Sequence, residues 1–128
     1  MKTVVSQQIS DYHLLHRIWQ SELRTAEQQL GVYRDMLDAV NNPQAARQSA
    51  RLADEIDHYK RLVPEILHEM HDVDVEMVVA IRNQERMDQE TRKDQRYLQE
   101  KMDDFDANYQ RFRQQIRRFL AETLIHPL

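Results

Sequence analysis

The chain has 128 residues, is 41% hydrophobic and 31% charged, and carries a net charge of −4, which suits one polar domain with a modest core. With one Gly and three Pro it is poor in turns and rich in helix formers, so an all-β or α/β fold is not expected. It has no Cys, which excludes intrachain disulfides, cysteine-based zinc or iron–sulfur sites and thiol catalysis, and fits a reducing cytoplasm. The negative balance gives no overall attraction to nucleic acid.

The N-terminal stretch MKTVVSQQISDYHLLH has no apolar run followed by a small-residue cleavage site, so no secretory leader is expected. From Val5 onward, apolar residues recur in alternating steps of three and four. The line is Val5, Ile9, Tyr12, His16, Trp19, Leu23, Ala26, Leu30, Tyr33, Leu37 and Val40, interrupted in character only by His16. That spacing is the buried stripe of a long amphipathic helix. It predicts a helix over about 6–41, with Ser6 as N-cap. Gly31 falls inside it as a weak point tolerated for packing.

Asn41-Asn42-Pro43 predicts the first turn. Asparagine is a frequent helix terminator, the residue before a proline resists helical backbone, and proline suits the first turn of the next helix. A second stripe follows: Ala45, Ser49, Leu52, Ile56, Tyr59, Val63, Ile66, Met70, Val73, Met77 and Ala80. It keeps phase through Pro64, which lies on the outer side and is expected to bend the helix, not end it. The predicted helix runs over about 43–83.

Residues 82–97, RNQERMDQETRKDQRY, hold one aliphatic residue, Met87. The second turn is expected within them, at about 84–93. A break at Asp72–Asp74 is the rival, but the stripe passes unbroken through Val73 and Met77. The third helix is then expected over about 94–125, on Leu98, Met102, Phe105, Tyr109, Phe112, Ile116 and Phe119, flanked by Leu120 and Leu124. Short connections force neighbouring helices antiparallel. The expected fold is a single-domain, all-α, elongated antiparallel three-helix coiled-coil bundle. Ala45, Ala46, Ala50 and Ala53 leave room at one end for Phe119 and Leu120.

No run approaches the ~18 apolar residues of a membrane span. There is no G-x-S-x-G, P-loop or glycine-rich phosphate turn. No cofactor is expected, a small-molecule substrate is not indicated, and the chain is read as non-enzymatic.

HEMHDVDVE, residues 68–76, is the stretch closest to a ligand site. Glu65, His68, His71 and Asp72 fall on or near one side of the second helix and could bind a metal. Glu55-x-x-His58 and Glu65-x-x-His68 match half of a di-iron motif, but di-iron bundles send that motif inward from two helices of four. Here both copies sit on one helix of three. A solvated polar face therefore accounts better for the stretch. His16, inside the stripe, reads as a hydrogen-bonded core histidine that sets register, with a pH-sensitive element as the alternative.

RFRQQIRR, residues 111–118, carries Arg111, Arg113, Arg117 and Arg118 around Phe112. Nucleic-acid binding is one reading. The other is complementarity to the helix dipole, since Asp103, Asp104 and Asp106 come early in the same helix and the arginines late. The stronger lead is apolar excess. Leu14, Leu15 and Ile18 in the first helix, and Val75, Val78, Val79 and Ile81 in the second, lie off the stripes at the same end of the bundle. Such surface marks an interface unless the stripe simply widens. The expected role is an interaction or scaffold protein that forms a homo-oligomer, such as a homodimer, or binds a partner helix through Leu14, Leu15, Ile18, Val75, Val78 and Val79.

FDANYQRFRQQIRRFLAETL and HRIWQSEL together resemble a family of small helical proteins of Bacteroidetes. The resemblance rests on Phe112, Arg113, Arg117 or Arg118, Phe119, Leu120 and Ala121, with Trp19. It implies a cytoplasmic helical protein and a polar connection just before the last helix. It carries no activity and no functional residues.

Overall fold

The computed structural model describes residues 4–83 and 87–125, and the side chains of 7–83 and 87–124. The expected side-chain roles of Val5 and Ser6 lie outside the described residues. Three long helices follow one another: α1 (Val4–Asp38), α2 (Ala46–Arg82) and α3 (Gln89–Leu120). They pack antiparallel around one core, as a three-helix bundle.

The stripes are the core. Trp19, Leu23, Ala26, Leu30, Tyr33 and Leu37 of α1 are buried with Leu52, Ile56, Val63, Ile66, Met70 and Met77 of α2. Leu98, Met102, Phe105, Tyr109, Phe112, Ile116 and Phe119 close it from α3. Tyr12, Val40, Ala45 and Leu124 are partly buried at its edges. Around mid-length the packing is aromatic. Tyr59 meets Phe105, Tyr109 and Phe112 at ring-centroid distances of 6.0, 5.3 and 5.2 Å. The Tyr109 hydroxyl, buried among them, donates to Gln29 Oε1 at 2.9 Å.

The boundaries differ from the expectation by a few residues. α1 starts at Val4, so Ser6 is already inside it. It ends at Asp38, where Ala39 and Val40 tighten the backbone onto Met36 and Leu37 at 3.1 Å. Asn42 then caps a 3₁₀ turn, Pro43–Ala45, by accepting from the Gln44 amide at 3.0 Å. The helix α2 runs without a break through Pro64 and through Asp72–Asp74. The helix α3 begins at Gln89, ahead of the expected position near 94. Asp88 is its N-cap, accepting from the Thr91 amide at 2.7 Å. The added turn is buried on its inner side through Thr91 and Gln95, next to Met87. A stripe built from Thr and Gln carries no apolar periodicity, which is why the sequence pattern lapses there although the packing does not.

Two sets of polar contacts bridge the helices near the surface. Lys101 of α3 reaches Glu65 at 3.3 Å and Glu69 at 2.7 Å on α2. Burial disfavours the Lys101 charge, but these carboxylates outweigh it and raise its pKa. Arg34 of α1 bonds to Asp57 and to the Ala53 carbonyl of α2 at 3.5 and 3.4 Å. Among the described residues, no helix is long and apolar enough to cross a membrane. A single turn of π-helix, Ala121–Ile125, follows α3, with the Thr123 hydroxyl donating to the Phe119 carbonyl at 2.8 Å.

Candidate functional site

His16 is the polar residue in the α1 stripe, and its side chain is fully buried. Its Nδ1 lies 2.5 Å from Asp74 Oδ1 on α2, and its Nε2 lies 2.6 Å from Gln95 Oε1 on α3. One imidazole thus ties all three helices together. The ring stacks on Trp19 with 5.5 Å between centroids. Each ring nitrogen thus has one partner, a carboxylate on one side and a side-chain amide on the other. His13 Nδ1 approaches the same Asp74 oxygen to 3.8 Å from the exposed side. Gln95 Nε2 is buried without a partner.

The nearby cleft between α2 and α3 is acidic, lined by Glu69, Asp72, Glu76 and Asp94. Glu76 has a buried Oε2 without a partner, and its pKa is raised, first by burial and then by Asp94. Asp88 goes the other way, lowered by its bonds to Thr91. On the opposite seam, burial and the neighbouring Asp106 raise Glu22, while burial and Asp103 raise Asp106. The histidine–aspartate pair could orient a proton. No cleft described in the structure is lined by His16, and its ring is sealed by Trp19 and the two partners. The arrangement is that of a polar layer whose two ring bonds depend on the alignment of all three helices.

The expected metal ligands are not brought together. Glu65 is engaged by Lys101, and only His68 and Asp72 meet, at 3.6 Å, both largely exposed. His71 is exposed as well. Among the described residues, no group of three or more His, Cys, Asp or Glu side chains is placed to hold a metal ion. Glu55 and His58 line an open cleft between α2 and α3, beside Lys101 and Arg111. The physical reason is the wheel: at ~100° per residue, Glu65 turns toward α3 while His68 and His71 turn outward.

The arginines also divide. Arg111 lines the cleft between α2 and α3, whereas Arg113 lines the one between α1 and α3 and reaches the Tyr33 hydroxyl at 3.5 Å. They flank the buried Phe112 on two sides and do not form one basic face.

Of the six expected interface residues, five are exposed: Leu14, Ile18, Val75, Val78 and Val79, whereas Leu15 is half-buried and packs on the core. Ile81 is exposed as well. Antiparallel pairing sets the α1 and α2 groups at the same end. Leu14 with Ile18, and Val75 with Val79, lie about 180° around their helices from the buried stripes, on the outward faces of two different helices.

The sequence reading missed the continuation of the α1 group. Val32 is 56% exposed and Met36 39%, against 58% for Leu14 and 57% for Ile18. Between them on the same outward line stand Ser21, Thr25 and Gln28, all exposed. The spacing Leu14, Ile18, Ser21, Thr25, Gln28, Val32, Met36 is a second three-and-four stripe with no charge in it, in a chain that is 31% charged. The signal was present in the sequence, but the polar middle hides it from a search for apolar residues alone.

Comparison with known proteins finds no matching family model, no similar curated protein and no similar solved structure.

Proposed function

We propose that the chain is a non-enzymatic helical interaction protein that self-associates. The observation that carries this reading is the exposed, uncharged line along the back of α1, with Leu14 and Ile18 at one end and Val32 and Met36 at the other. Large apolar side chains left in water along one helix face are the usual mark of an association surface. Val75, Val78 and Val79 add apolar surface on the outward side of α2. The sealed position of His16 supports a structural role for the most chemically capable group in the protein. The absence of cysteine is in keeping with a cytoplasmic setting.

The reading is tested by thermal melts over a wide range of protein concentration. A folded oligomer melts later as concentration rises, because mass action favours the associated state. The native chain should show that dependence. Leu14→Asp with Ile18→Asp should remove it while leaving the helical signal intact. A midpoint independent of concentration in the native chain overturns the reading.

A further inference from the structure

We propose that the partner of the α1 back face is a second copy of this chain, docked antiparallel, α1 against α1, about a twofold axis crossing the pair at the level of Thr25. The inference rests on the self-association reading above and names its surface and register.

The outward line is self-complementary. Leu14 stands eleven residues before Thr25 and Met36 eleven after; Ile18 and Val32 stand seven before and seven after. A twofold axis at Thr25 therefore sets Leu14 against Met36 of the second copy and Ile18 against Val32 of the second copy. Each apolar end covers the other. The small, uncharged middle of Ser21 and Thr25 lets the two backbones approach where the helices cross. A closed interface of this kind uses the same patch on both chains and leaves no apolar end exposed.

The charges at the edge fit the same register. Arg17 and Asp35 are exposed, fall on the same flank of the line, and among the described residues neither is in an ion pair. In an antiparallel pair related by a twofold axis, like flanks meet. Arg17 then comes within about two residues' rise, ~3 Å along the axis, of Asp35 of the second copy, and the reciprocal pair forms by symmetry. Arg24, closest to the axis on that flank, already has Glu27 at 3.3 Å to offset its charge. The other flank brings Glu22 toward Gln29 of the second copy, with no like charge facing it. A parallel pairing would instead set Leu14 on Leu14 and leave Arg17 and Asp35 on opposite flanks, so the charge pattern selects the antiparallel arrangement.

The native chain has no cysteine, so a single introduced thiol reports one position cleanly. A disulfide needs its two Cβ atoms within about 4 Å of each other, which in this register only a residue at the axis achieves with its own copy. Full-length Thr25→Cys should crosslink to itself under mild oxidation at least about tenfold faster than Val75→Cys, both sites being exposed and both variants helical. Arg17→Asp should weaken the dimer by about tenfold, and adding Asp35→Arg should restore it. Equal crosslinking at the two positions, or no rescue by the charge exchange, overturns the α1 pairing. If the native chain still gains mass with concentration in that case, self-association survives and its surface lies elsewhere. If the native chain remains a monomer throughout, both readings fall.

Discussion

Around Tyr59 the three helices meet through rings; around His16 they meet through hydrogen bonds. In the first region, aromatic groups from α2 and α3 pack edge-on and stacked, with Tyr33 of α1 edge-on to Phe112. Its polar atoms are few, and the Tyr109 hydroxyl donates a hydrogen bond to Gln29. In the second region, an imidazole, a carboxylate and an amide fill the space that apolar side chains would otherwise take. Shape alone tolerates small slips of one helix along another, because neighbouring heptad positions resemble each other. A hydrogen-bonded triad does not, since a slip strands a buried donor or carboxylate. The comparison teaches that the aromatic region contributes bulk apolar burial, while the polar layer ties stability to the alignment of the helices.

The largest effect should come from the aromatic region. Phe112→Ala removes a ring that touches Tyr33, Tyr59 and Tyr109, and should cost about 3–5 kcal/mol in denaturant unfolding, enough to threaten the fold. A cost below ~1 kcal/mol would mean the rings contribute little through their burial. His16→Ala should come next, at about 2–3 kcal/mol, because it leaves the Asp74 carboxylate and the Gln95 amide without their partner. A double-mutant cycle with Asp74→Ala should show coupling, the second change costing less once the first is made. Additive costs would dissolve the triad as a unit.

A smaller, pH-dependent effect should appear beside the polar layer. The Glu76 pKa is raised from the usual 4.5 by burial, so the folded state holds its proton more tightly than the unfolded chain does. The stability this contributes is full below 4.5 and is lost as pH rises through the raised value. Urea unfolding across that range should show the loss, and Glu76→Gln should flatten it. The smallest effect concerns the surface of α2. His68→Ala with His71→Ala, or added EDTA, should leave the thermal midpoint within about 0.5 kcal/mol of the native stability. A clear drop with EDTA would restore a metal role to that stretch.

Much of this was legible in the sequence, for identifiable reasons. The stripes from Ile9 to Leu37 and from Leu52 to Ala80 are apolar at nearly every step, so burial could be read from spacing. The Asn42-Pro43 turn was legible because both residues have local backbone preferences that act without tertiary help. The start of α3 was not, because Thr91 and Gln95 are polar residues made core by packing, Gln95 against His16. The partners of His16 were equally hidden: Asp74 and Gln95 lie 58 and 79 residues away, and only the register of three helices brings them to one ring. The metal grouping was read along one helix, whereas in three dimensions Lys101 from α3 engages Glu65 and only His68 and Asp72 meet. The start of the α1 back face at Leu14 and Ile18 was legible, but its continuation to Val32 and Met36 was not, because the middle is polar though uncharged.

The most direct test of the account is the mass of the unmodified full-length chain, measured by light scattering across a dilution series. The account predicts a limit at high concentration of twice the 15.5 kDa of one chain, falling toward that value on dilution. A mass of one chain at every concentration would contradict it, and would leave the uncharged back of α1 as exposed surface without a second copy to cover it.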